Sequence, residues 1–167
     1  MAGLNKLISV AVRVAQAFVP ALARCDDEGA REVLTEAELE LYMAMDVRDR
    51  AHAALVVRRL RRIRPDASRD LLAAAWLHDV GKSVLPFRPV HRIMAGLLPA
   101  VARNTEPIEG GLRGALQVKA RHEAIGARLL ERAGSHGPAG IVARLASPGH
   151  PAEDPDVAAL READATT

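Results

Sequence analysis

Along almost the whole chain, apolar residues return every three to four positions, and no strand-like alternation bounded by turn residues interrupts them. Only a helix gathers such residues on one face, so the period commits the chain to an all-α fold. Leu4, Leu7, Ile8, Ala11, Ala15 and Phe18 share one face, and Pro20 closes that segment because it lacks the amide a helix interior needs. Thr35 with Glu38 has the form of a capping box for a second helix running through Met45. Asp46 caps a third that extends to Ile63 and stops before Pro65. Asp66 or Ser68 opens a fourth, Leu71 to Val80, whose run LLAAAWLHDV is apolar on all sides and therefore reads as the buried central helix, ended by Gly81. Further helices are expected from about Pro89 to Arg103, then, after a Gly-rich connection around Glu109, Gly110 and Gly111, from Arg121 to Ala133 with Gly134 in the C′ position. A short helix near Ile141 to Ala146 and a last turn or two to Asp164 complete a compact bundle of about seven to nine helices.

At 167 residues the chain fits one domain and can bury roughly two thirds of the surface its unfolded form exposes, so a core needs no disulfide. Residues 1–33 read as an N-terminal helical extension and 34–164 as the core; no internal repeat or low-complexity linker supports a second domain. The single cysteine, Cys25, cannot pair within the chain, and the N-terminus lacks the succession of a secretory signal, which together point to a reducing, cytoplasmic compartment. The longest apolar stretch, Leu7 to Ala23, is broken by Arg13 and stopped by Pro20, so no membrane span is expected. Arg58, Arg59, Arg61, Arg62 and Arg64 crowd one segment, but Leu60 and Ile63 interrupt them at helical spacing. The aromatics Phe18, Tyr42, Trp76 and Phe87 are too scattered for a stacking platform, so a solvated helix face is expected rather than a nucleic-acid surface.

Three of the six histidines point inward by periodicity. His52 shares a face with Leu55, Val56 and Ile63, His78 lies on the wholly apolar helix, and His122 aligns with Ile125, Gly126 and Leu129. One such histidine is ordinarily a hydrogen-bonded core residue. Three of them, with Asp79 beside His78, carry a desolvation cost that a bound divalent cation would remove for all at once. The doublet His78-Asp79 is followed directly by Val80-Gly81-Lys82, so both ligand types and a lysine leave the buried helix at one place. His91, Arg88 and Arg92 follow where a substrate phosphate would need positive charge; a core histidine flanked by solvated arginines is an equal alternative. His136, in AGSHGPAG, is expected in an exposed loop. No Walker-type loop, GxSxG elbow or cysteine-based zinc spacing occurs.

The segment LLAAAWLHDVGKS resembles the signature of the HD superfamily, more closely its HDIG-type branch. The upstream MDVRDRAHAALVVRRL and the downstream RHEAIGARLLERAG are similar to their family counterparts, and the resemblance spans about Leu34 to Asp164. It implies an HD-like helical fold and a first metal held by His52, His78, Asp79 and Asp164; because the helix carrying Asp164 has little to anchor it, Asp154 or Asp156 is an alternative. It further implies a second metal bridged by Asp79 and held by His122 and His150, and a lysine, Lys82, that contacts substrate phosphate. The chain departs from the family at His150, which sits in the turn-forming Pro148-Gly149-His150-Pro151.

Imidazole and carboxylate ligands without thiolate suit Mn, Fe, Co, Ni or Zn, one or two ions per site. The reaction implied by the resemblance is hydrolysis of a nucleotide or other small phosphate ester by metal-activated water, with Asp79 and Lys82 as catalytic groups and Arg88 and Arg92 contacting the substrate. The chain has no Gly-Tyr-Pro motif, which argues against the cyclic-di-GMP branch. Two rivals stand beside this expectation: a non-catalytic HD domain that binds a nucleotide or a protein partner, and an HD-fold di-iron oxygenase.

Overall fold

A helix begins where a side chain can satisfy its first amides, and four such caps are in place along the first half of the chain. In a computed structural model, which describes residues 24–85, 108–146 and 154–165, Asp26 accepts from Gly29 N at 3.1 Å and opens α1, Asp27–Arg31. Thr35 and Glu38 exchange hydrogen bonds as a capping box and open α2, Glu36–Met43. Asp46 opens α3, Val47–Ile63, by accepting from Arg48 N at 2.9 Å. Ser68, rather than Asp66, opens α4, Arg69–Leu77, by accepting from Leu71 N at 3.2 Å. A 3-10 turn follows over Val80–Val84, and then come α5, Gly111–Arg132, α6, His136–Leu145, and α7, Pro155–Ala165. Every regular element among the described residues is helical, and no described helix is long and apolar enough to cross a membrane. The expected helices over Leu4 to Phe18 and Pro89 to Arg103 lie outside the described residues.

The core forms around α4. Leu71, Ala73, Ala74, Ala75, Trp76 and Leu77 are all buried, as an all-round apolar helix requires, and α4 packs against α2, α3, α6 and α7. Alanines at 73–75 meet alanines 53 and 54 of α3 in the same cluster, so these helices can approach closely, while Trp76 meets Tyr42 edge to face at 5.6 Å between ring centres. The face expected for α3 is shifted. Val56 is wholly buried, but Leu55 and Ile63 are 44% and 36% exposed, and Ala53, Val57 and Leu60 fill the core instead. His52 therefore sits at the edge of the buried face. Arg58, Arg61 and Arg62 are exposed, and Arg64 pairs with Asp66 and with Asp156 of α7.

Three expected boundaries are corrected. The central helix ends at Leu77, not Val80, because the chain tightens into the 3-10 turn, where Lys82 N bonds Asp79 O at 2.9 Å. The helix expected from Arg121 starts at Gly111, so of the expected Gly-rich connection Gly110 is its N-cap and Gly111 its first residue; Gly134, at φ +75°, does take the expected left-handed place after its end. His136 is exposed as expected, yet it is the first residue of α6 and not part of a loop. Pro138 falls in that helix's first turn, where a missing amide costs nothing.

One polar contact inside the bundle went unrecognised in the sequence. Glu38, the capping-box partner, is 1% exposed and also accepts from Arg69 at the start of α4 and from Ser135 before α6. Burial raises the pKa of its carboxyl, but the Arg69 guanidinium, the Ser135 hydroxyl and the Thr35 amide outweigh that and hold it below the usual value. A single carboxylate thus ties three helix beginnings together.

Candidate metal centre

Five elements bring their polar side chains to the same end of α4. His52 comes from α3, His78 caps the end of α4, Asp79 precedes the 3-10 turn and Lys82 lies in it, His122 lies in α5 and Asp164 in α7. Donor atoms of His52, His78 and Asp79 all lie within 4.8 Å of one another. His52 Nε2 is 2.9 Å from Asp164 Oδ1 and 3.8 Å from Asp79 Oδ2, and His78 Nε2 is 3.6 Å from Asp79 Oδ2 and 3.8 Å from Asp164 Oδ1. The two oxygens of Asp79 face different ways. Oδ2 turns to His52, His78 and Lys82 Nζ, the last at 2.6 Å, while Oδ1 turns to His122 Nε2 at 3.3 Å.

Local backbone geometry orients the rings. His78 Nδ1 lies 2.9 Å from Ala75 O and His122 Nδ1 lies 3.1 Å from Lys119 O. A carbonyl can only accept, so both Nδ1 atoms donate and Nε2 is the atom each ring presents to the cluster. His78 Nε2 is buried and makes no hydrogen bond, and a buried imidazole nitrogen without a partner costs free energy unless something binds it. A divalent cation between imidazole and carboxylate donors supplies such a partner, so these residues fit a metal ion.

The charges are mutually arranged. Burial raises the Asp79 carboxyl, but His78, Lys82 and His122 more than offset it and hold the group well below the usual carboxylate range. For His122, burial lowers the pKa, but the hydrogen bond to Asp79 and the negative charges of Asp79 and Glu123 together outweigh burial and Lys82 and raise it. Asp164 is pushed up by burial and brought down past its usual value by His52 and His78.

Of the expected ligands, His52, His78, Asp79, His122 and Asp164 converge, and Lys82 stands beside them. Asp154 and Asp156 do not; they pair with Arg144 at 3.4 Å and Arg64 at 3.0 Å, at the start of α7. His150, Arg88, Arg92 and His91 lie outside the described residues. No family model, curated protein or solved structure matches the chain. The centre therefore rests on its own geometry. A groove lined by Thr35, Glu38, Arg69, Ser135 and His136 shares no residue with it.

Gly81 stands where a helix terminator is expected, but its φ is not in the left-handed region. Its role is contact. A Cβ there would lie 1.9 Å from His122 O and 2.8 Å from Gly126 N, so the 3-10 turn rests directly on the backbone of α5. Gly81→Ala is accordingly expected to cost more than about 4 kcal/mol and to leave the chain largely unfolded at 37 °C. Far-ultraviolet circular dichroism of the variant checks this, and a native-like melting curve would show that the turn can lift off α5.

Proposed function

We propose that this chain is a metal-dependent phosphohydrolase of the HD superfamily that acts on a nucleotide or another small phosphate ester. The observation that carries the reading is the convergence of His52 of α3, the adjacent His78 and Asp79 at the end of α4, and Asp164 of α7 around a buried imidazole nitrogen with no hydrogen bond. Helical packing alone gives no reason to bring two imidazoles and two carboxylates together at the end of an apolar helix, where their desolvation opposes folding. A metal ion held there would supply a water of lowered pKa and neutralise charge on phosphoryl oxygens.

The residues of the chain have separable roles in this reading. His52, His78, Asp79 and Asp164 would hold the first ion. Asp79, whose oxygens face two sides, would be shared with a second ion on the His122 side, with His150 as the proposed further ligand. Lys82 is poised by its ion pair with Asp79 and, being 30% exposed, can also present its ammonium to a substrate phosphate and offset charge that grows during hydrolysis. His78 and His122, with their Nδ1 protons committed to backbone carbonyls, keep Nε2 aimed at the site without rearrangement.

The experiment is hydrolysis of a generic phosphomonoester and a phosphodiester by protein supplied with Mn²⁺, compared with Lys82→Ala. Wild type is expected to turn over slowly, and Lys82→Ala to fall by about 10- to 100-fold with its metal content retained. No metal uptake, or a rate loss that merely follows metal loss, would overturn the assignment of Lys82; no hydrolysis by the fully loaded wild type of any ester offered would favour a non-catalytic HD domain.

A further inference from the structure

The contact between the 3-10 turn and α5 is reciprocal. A Cβ at Gly126 would stand 3.2 Å from Gly81 N and 3.2 Å from Val80 Cγ1, with Val142 Cγ1 of α6 at 3.7 Å. Val80 is wholly buried and Val142 likewise, so neither can yield outward, and the remaining relief is for the turn to lift from α5 by a few tenths of an ångström. Asp79 immediately precedes Val80, and His122 lies one helical turn before Gly126, on the same face of α5. The separation of turn and helix is therefore also the separation of Asp79 from His122, which stands at 3.3 Å between Oδ1 and Nε2.

We propose that Gly126 is a positioning residue, whose missing side chain sets the spacing of Asp79 from His122. On the metal reading above, on which this consequence rests, that spacing decides whether the His122 side of Asp79 accepts an ion. Of the four residues that would hold the first ion, His52, His78 and Asp164 are carried by α3, α4 and α7 and only Asp79 by the turn, so the first ion depends less on Gly126 than the second. The effect separates from stability, because alanine is favoured over glycine in a helix interior and Gly126 sits in the middle of α5.

The test compares wild type, Gly126→Ala and Gly140→Ala, the last being a helical glycine whose Cβ would meet nothing within 4 Å. Imidazole proton–nitrogen spectra of the metal-free proteins are read first, then uptake of Co²⁺ alone. In Gly126→Ala the His122 signals should move while those of exposed His136 stay, cobalt should fall from about two ions per chain to about one, and the melting temperature should remain within about 3 °C of wild type. Gly140→Ala should match wild type throughout. Unmoved His122 signals, or full cobalt uptake by Gly126→Ala, would overturn the proposal. So would loss of the fold, which would make Gly126 a packing residue. Shifted His122 signals in a wild-type background that takes up no cobalt would leave the spacing role standing and refute the metal reading instead.

Discussion

Purified Asp79→Ala protein is expected to carry essentially no transition metal, where wild type carries about two ions per chain, and to lose at least about 10³-fold in phosphohydrolase rate. Among the described residues, Asp79 is the side chain that faces both sides of the centre, with Oδ2 near His52 and His78 and Oδ1 near His122. Its loss removes a ligand from each ion at once. His122→Ala should differ, keeping about one ion and losing most of the rate, because His52, His78, Asp79 and Asp164 remain. Ligands here must be deprotonated and are assembled only in the folded chain, so binding energy is folding energy, and chelating the metal should lower the melting temperature of wild type but not of Asp79→Ala. Elemental analysis beside melting curves with and without chelator checks the whole set. Equal metal content in wild type and Asp79→Ala would sink the metal centre, and one ion per fully loaded wild-type chain would return His122 to a structural role.

Arg69→Ala is expected to destabilise the fold by about 3 kcal/mol at pH 7, one of the largest effects of any substitution away from the centre. The variant leaves Glu38, 1% exposed in wild type, with no cation beside it, whereas Arg69 is 41% exposed and its removal lets water reach the carboxylate, which places the cost at the lower end of the ~3–5 kcal/mol typical of breaking a buried pair. The pH dependence has a definite sign. Burial raises the Glu38 pKa and the Arg69 pair, with Ser135 and Thr35, brings it below its ordinary 4.5, so in wild type this carboxylate stabilises the fold above that value. The contribution is lost as pH falls through the lowered folded value. Without Arg69 the carboxylate is a liability that protonation removes, so the gap between variant and wild type should be widest near neutrality and shrink below about pH 4. Urea unfolding at several pH values measures it; a pH-independent gap would assign the loss to packing of the arginine stem.

How much of this was legible in the sequence differs from element to element. Thr35 with Glu38, Asp46 and Ser68 announce their helices because a cap is a local hydrogen bond, completed within three residues. The run from Leu71 to Leu77 declares its own burial, since a helix apolar on every side has no face left for water. The inward histidines and the doublet were likewise readable, because a polar residue on an apolar face raises a desolvation problem that can be stated without coordinates.

Other features depended on residues far apart in the chain. Asp154, Asp156 and Asp164 all lie in or after the last proline-rich stretch, and the family resemblance alone favours Asp164 among them. Only the packing of α7 on α3 puts Asp164 2.9 Å from His52 and leaves the other two with arginines. The long-range bonds of Glu38, across 31 residues to Arg69 and 97 to Ser135, have no local signature at all. Gly81 illustrates the division most sharply. Its sequence position suggests a turn, which a glycine supplies through its own backbone freedom, yet its place in the fold is decided by the carbonyl of His122, which occupies the space a Cβ would need. Caps, periodicity and burial are properties of a short stretch of chain, so the sequence by itself determined an all-helical protein with a polar cluster at the end of its central helix. Which carboxylate joins that cluster, and how far Asp79 stands from His122, are distances between helices, and tertiary packing alone decided them.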